Sequence, residues 1–423
     1  MMDIADYVMI SFLPTTDAQT ALLPAQVWMW SYIVIGLGVV SVIATFASQA
    51  LGRGKFEECS SYAWQSLYVG AILGILVFLV RPFVPELIAA VGHEPRVQEL
   101  EIAYLRIALL TTGPTIAAEG LGWFFIGVHR PWVTVWTAIE ANVLNVAVCF
   151  VLIFGFFGFE PMGIRGVAWG TLVAVNYRMI RLSIAMLLPG ISREFGSRRT
   201  WRPASKPLTD LLRVGLPCGF QWLSEVVVWA LFVNVLIGTN FGSVHLTATN
   251  VAWQYMRVAF MPTIGMGRAV SALVGRSIGA GNPDRAVWQA RVAAIITSAY
   301  MGSLSLIYFL FGSSLIGWFN PDPQVRAIGG SVMICAAAFQ LFDGLAITFT
   351  SALRGAGDTF IPSIFFISTQ WLIVVGGGWW FTAFYPELKS IGPWIAASTL
   401  IIVTAIFLWW RWKSGVWRRI NLF

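Results

Sequence analysis

The chain has 423 residues, of which 57% are hydrophobic and only 11% charged, with 21 tryptophans and a mean hydropathy of +0.75, a composition that excludes a soluble globule. Its formal net charge of +7 is concentrated in loops and the tail, so it reports orientation in a membrane, and no nucleic-acid partner is expected. Charge-free runs at 18–52, 59–80, 292–321, 359–386 and 390–410 each exceed the ~20 residues with which a helix crosses ~30 Å of hydrocarbon, whereas barrel strands would be half as long and alternating.

In chain order, the opening MMDIADYVMISFLPTTDAQ is apolar, too short to span, and carries Asp3 and Asp6 one helical turn apart. It has neither the basic start nor the small-residue cleavage site of a signal peptide, and reads as the outer half of a first helix in preference to a short amphipathic lead-in. Helices follow at about 22–50, 59–83, 99–126, 131–157 and 162–189. The most basic loop, ISREFGSRRTWRPASKP at 191–207, divides a first lobe, 1–190, from a second, 208–412. That second lobe carries helices at about 208–238, 246–277, 286–318, 327–353, 359–384 and 391–412, and a basic tail, 413–423, closes the chain. The positive-inside rule puts the loop, the tail and both termini on the cytoplasmic side. The expected fold is an all-α polytopic membrane protein of about twelve helices in two six-helix lobes, the first helix truncated, in a plasma membrane such as the bacterial inner membrane.

The halves repeat. Aligning Pro95 with Pro323 lays one apolar helix under another, and ASQALGRGKFEEC (47–59) and VGRSIGAGNPDRA (274–286) both end a helix in a Gly-x-Gly turn at about the same separation. Two such repeats around a central cavity are a transporter architecture. The four cysteines, Cys59, Cys149, Cys218 and Cys335, have no metal spacing and read as reduced packing residues.

Charges inside apolar helices carry the chemistry, because a carboxylate at bilayer depth costs at least a few kcal/mol and is functional by default. Glu225 lies 16 residues before Phe241, and Asp343 lies 18 after Val325 at the opposite outer turn, so the two acids reach comparable depth. Two such acids cannot both ionise cheaply: one holds a proton, or a cation sits between them. The alternative is that each only satisfies a neighbour such as Gln340, Gln221, a Trp N–H or an arginine. Arg257, 16 residues after Phe241, is level with Glu225 and reads as a fixed ion pair or as a charge exchanged during transport. In the first lobe Glu119 and Glu140, ten residues before and eleven after His129, are also level. They line the inner cavity, or they bond to each other, to Arg106 or to buried hydroxyls. Trp222 and Trp229 beside Glu225 suit flat cations through their π faces.

The order and spacing of VGLPCGFQWLSEVVVWALFVNVLIGTNFG (214–242), MPTIGMGRAVSALVGRSIGAGN (261–282), QLFDGLAITFTSALRGAGDTFIP (340–362) and NVLNVAVCFVLIFG (142–155) resemble the multidrug and toxic compound extrusion transporters, in particular the bacterial NorM type, over nearly the whole chain. The resemblance implies a two-lobed secondary exporter that exchanges sodium ions or protons for bulky, often cationic organic compounds by alternating access. Such an exporter is not an enzyme, has no cofactor beyond the coupling ion, and works as a monomer among membrane lipids. Carried over residue by residue, its coupling carboxylates fall on Glu225, Asp343 and Asp6, with Asp3 a rival for the last, and sodium, if it is the ion, falls on Glu225 and Asp343. The substrate cavity would include Glu119, Glu140, Asn145, Trp222, Gln340 and Arg257. The chain departs from the pattern at Phe260 and Phe339, where relatives carry tyrosines, at Cys149 in place of a second asparagine, and at the missing start of the first helix with its proline. A flippase for lipids or lipid-linked oligosaccharides is the rival reading, for which a more densely cationic cavity is expected. Enzyme signatures such as HExxH or GxSxG are absent.

Overall fold

The computed structural model describes residues 2–10, 12, 17–89 and 92–423. Among them every regular element is helical. Contacts divide the chain into two units, Met1–Gly219 and Phe220–Phe423. The boundary falls inside the helix that follows the basic loop.

The first unit opens with α1 (Met2–Ile10), then α2 (Asp17–Ser41) continued by α3 (Ile43–Gly52), and α4 (Phe56–Phe78). A short α5 (Val84–Ala89) leads into α6 (Pro95–Ala108) and α7 (Thr112–Gly127), and α8 (Pro131–Phe154) and α9 (Ile164–Leu187) follow. After α9 the chain bends by 64° into α10 (Pro189–Phe195). Helices α4 and α7 cross on glycines: a Cβ at Gly70 would stand 2.7 Å from the Gly113 carbonyl oxygen, and one at Gly113 2.9 Å from that of Gly70. Small residues at such a crossing let two backbones approach where lipid supplies no hydrophobic drive. The basic loop is tied down on α4, where the Ser60 hydroxyl donates to the Phe195 carbonyl at 2.6 Å and the Trp64 indole to that of Ser197 at 2.8 Å. Helix α11 (Ser205–Leu231) then starts on this unit, its Gly215 and Gly219 set against the backbones of Val39 and Ile35.

In the second unit a π-helical stretch, Phe232–Thr239, joins α11 to α12 (Asn240–Gly279). Then come α13 (Pro283–Phe319), α14 (Pro323–Ala356), α15 (Phe360–Thr369), a second π stretch at Gln370–Gly376, α16 (Gly377–Phe384) and α17 (Ile391–Lys413). Helix starts are encoded locally. Proline opens α13 and α14 where its missing N–H costs nothing, and Asn282 and Asp322 cap them by accepting the N–H of Arg285 and Gln324. Helix α14 is the axis of this unit, packed against α12, α13 and α17. It carries Asp343.

Among the described residues eight helices are long and apolar enough to cross a membrane, or nine with the bent pair, and one of these stretches, Ser205–Gly279, runs for 75 residues and holds both α11 and α12. Only 17% of the most apolar window of α13 is buried, and Leu306, Phe309, Leu310 and Phe311 stand exposed on it, as a lipid-facing helix requires. The repeat has structural content: Gly54 (φ 73°) after α3 and Gly281 (φ 71°) after α12 close the two Gly-x-Gly turns in the same left-handed conformation, which favours glycine. Where the sequence suggests continuous helices, the chain is interrupted at Val42, at a 3₁₀ turn over Leu109–Thr111 beside Gly113–Pro114, and at both π stretches, while the kink at Gly242 (φ 79°, ψ −174°) falls in the turn expected between 238 and 246. Apolar periodicity continues across these breaks, so only the backbone registers them.

Candidate functional sites: carboxylates inside each unit

In the first unit α1 places Asp6 against α8 and α9, where it is 1% exposed. The Thr171 hydroxyl donates to its Oδ2 at 3.2 Å and the Cys149 thiol to its Oδ1 at 3.5 Å. Asn145 donates in turn to Thr171 Oγ1 and to Cys149 Sγ, both at 3.4 Å, and its own Oδ1 is buried without a donor among the described residues. Cys149 is more than a packing residue: its sulfur occupies the space that a side chain at position 170 would fill, so Gly170 is what admits it to the cluster. All four cysteines are free thiols. The side chain of Asp3 lies outside the described residues.

Glu119 and Glu140 are not bonded to each other. Arg178 meets Glu119 at 2.5 Å, while Glu140 accepts from the Tyr177 hydroxyl at 2.9 Å and stands 3.4 Å from Arg181. Among the described residues neither carboxylate pairs with Arg106; their cations come from α9 instead. The signal was present in NYRMIRLS, where two arginines three apart interrupt an apolar helix, and depth matching of the acids alone passed over it.

In the second unit Glu225 on α11 and Asp343 on α14 are half-buried, and the Glu225 charge reaches Asp343. Asp343 Oδ2 is buried and has no hydrogen-bond partner among the described residues. One turn before it, Gln340 is fully buried, its amide on the Met301 sulfur at 3.1 Å and its Oε1 without a donor among the described residues. Next to Glu225, the Ser224 hydroxyl donates to Gln370 Oε1 and receives the Trp371 indole, both at 3.1 Å. The π stretch that begins at Gln370 brings these two consecutive side chains to one serine, in keeping with the concentration of π turns at functional positions. Gln370, a lone amide in a charge-free run, is a site residue that the sequence reading did not single out.

The expected pairing of Arg257 with Glu225 is not found. Arg257 is exposed and makes no ion pair among the described residues; the cation whose charge reaches Glu225 is Arg354, which stands 5.7 Å over the Trp222 ring. Depth was matched through Phe241, but the π stretch and the Gly242 kink between the two helices change which way each face points.

An α-helical bundle with carboxylates inside each half defines an integral membrane transporter. The MatE family model matches residues 1–151 and 217–380, and the chain belongs to that family, the multidrug and toxic compound extrusion transporters. The "Probable multidrug resistance protein NorM" of Rhizobium meliloti (strain 1021) is 29% identical over 413 residues, which are 96% of this chain and 87% of the relative. A crystal structure of MATE in the bent conformation shares the fold with a TM-score of 0.87 at 20% identity, over 99% of this chain and 92% of that one. The eukaryotic MATE transporter AtDTX14 does so with a TM-score of 0.84 at 17%, over 99% and 92%.

Proposed function

We propose that the protein is a secondary active multidrug exporter that moves small organic, predominantly cationic compounds across the bacterial inner membrane in exchange for sodium ions or protons, by alternating access, with both termini cytoplasmic. The observation that carries this reading is the pair Glu225 and Asp343, two acids inside the second unit, with Asp343 within reach of the Glu225 charge and holding a buried oxygen that no donor among the described residues reaches. Such a pair binds a small cation more readily than it tolerates two bare charges, so occupation by a proton or a sodium ion changes the balance between conformations that expose it and conformations that close it. Asp6, which accepts from Thr171 and Cys149, offers the first unit a carboxylate of its own in a different, more enclosed setting. Trp222 and Gln340 supply an aromatic face and an amide near the second-unit acids, and the name of the NorM relative supports the substrate class. Arg257, exposed and without an ion pair among the described residues, belongs to the substrate path, where it exchanges for cargo charge. Glu119 and Glu140 keep a place there through the α9 cations that hold them.

The test is ethidium efflux from vesicles with sodium and proton gradients imposed separately. Efflux that follows one gradient supports the reading, and efflux indifferent to both overturns it.

A further inference from the structure

One cavity lies apart from these carboxylates. It has a volume of about 1110 Å³ and is bounded by α13, by α17 and by the turn after α17, with α14, which packs on both helices, as its floor. Its walls are apolar, with Ile295, Phe342, Leu345 and Ile406 among them, and its cations gather at one end: Arg291 on α13, Lys413 at the close of α17, and Arg418 in the tail.

The charge balance at that end is uneven. Arg418 is paired with an exposed Asp284 at 3.0 Å, and nearby Arg411 is neutralised by a two-pronged contact to Asp358. Arg291 and Lys413 meet no carboxylate among the described residues; Lys413 only rests over the Trp409 ring, at 5.0 Å. Exposed Trp288, Trp409 and Trp410 stand at the same end, as tryptophans do at a bilayer interface. The dimensions agree: the cavity follows α13 from Val287 to Ser298, roughly 16 Å of helix, close to the ~15 Å of hydrocarbon in one leaflet.

We infer that this cavity is a binding site for an anionic phospholipid of the leaflet beside the basic tail, its phosphate held between Arg291 and Lys413 and an acyl chain laid along α13 and α17 on the α14 floor. The two unpaired cations select charge, and the apolar trough selects a molecule that brings hydrocarbon with it. A soluble anion would use only the first.

The full chain, purified in a neutral detergent, is titrated with phosphatidylglycerol, phosphatidylcholine and glycerol phosphate, and bound lipid is counted by native mass spectrometry. Wild type prefers phosphatidylglycerol to phosphatidylcholine and ignores glycerol phosphate. The double variant Arg291→Gln/Lys413→Gln loses that preference by roughly thirtyfold, the factor expected for two cations beside an anionic lipid. Ala294→Phe, which fills the trough and leaves the cations in place, weakens both lipids alike. Removing two charges elsewhere, with Arg202→Gln/Lys206→Gln, leaves the preference intact. Unchanged phosphatidylglycerol binding by Arg291→Gln/Lys413→Gln, an equal loss in the loop control, or competition by glycerol phosphate at lipid concentrations would each overturn the inference.

Discussion

Asp343 and Glu225 differ from Glu119, Glu140, Asp358 and Asp6 in having no hydrogen-bond donor or ion-pair partner among the described residues. Glu119, Glu140 and Asp358 each meet an arginine, and Asp6 accepts a hydroxyl and a thiol. An acid left in that state is held for something that arrives. Asp343→Asn keeps the shape and removes the titrating charge, so the variant should insert and fold as wild type does while losing gradient-driven efflux to the level of passive leak. Glu225→Gln should behave likewise. The arginines divide in the same way. A double-mutant cycle of Glu225→Gln with Arg354→Ala should give a coupling energy of about 1 kcal/mol or more, and the same cycle with Arg257→Ala should close within ~0.5 kcal/mol, as for independent sites. Unfolding of the detergent-solubilised variants measures both, and equal coupling for the two arginines would mean that Arg257 reaches Glu225 after all.

At the scale of elements, what the sequence made legible was depth, and what it hid was direction. A rise of ~1.5 Å per residue from a recognisable turn places Glu225, Asp343, Glu119 and Glu140 along their helices, and the apolar runs locate the helices themselves. Which neighbour a side chain meets depends on rotation about the axis. The π stretches at Phe232–Thr239 and Gln370–Gly376 and the kink at Gly242 alter that rotation without disturbing composition. For this reason Asn145 and Asp6 were found as a likeness to a family motif, whereas Arg178, Arg354 and Gln370 became visible only once the helices were packed. Two element-level contacts carry stability predictions. Arg411 holds Asp358, whose side chain is 3% exposed, through contacts of 2.7 and 3.0 Å at the junction of α14, α15 and α17. Arg411→Ala strands that carboxylate and should cost about 3–5 kcal/mol, seen as a lowered thermal midpoint that Asp358→Asn in the same chain partly restores. Gly113→Leu, at the α4–α7 crossing, should cost about 1–3 kcal/mol by forcing the two backbones apart, and a thermal midpoint equal to wild type would show that the crossing yields.

For the whole molecule, the repeat organises the account. Each unit carries acids inside its bundle, in the first unit on a short helix pinned by Thr171 and Cys149, and in the second on the central helix α14 and on α11. The two sites are chemically unlike. The first is a closed ring of small polar groups around one carboxylate, and the second is a more open pair of acids with an arginine and tryptophans at its edge. On the function proposed above, the coupling step lies with the second unit's acids, and the measurement that tests this most directly is ethidium efflux from proteoliposomes carrying wild type or Asp343→Asn, with a sodium gradient, a proton gradient or neither. The account predicts that wild type follows one of the two gradients and that Asp343→Asn follows none while remaining folded and inserted. Gradient-driven efflux by Asp343→Asn at the wild-type rate would contradict it.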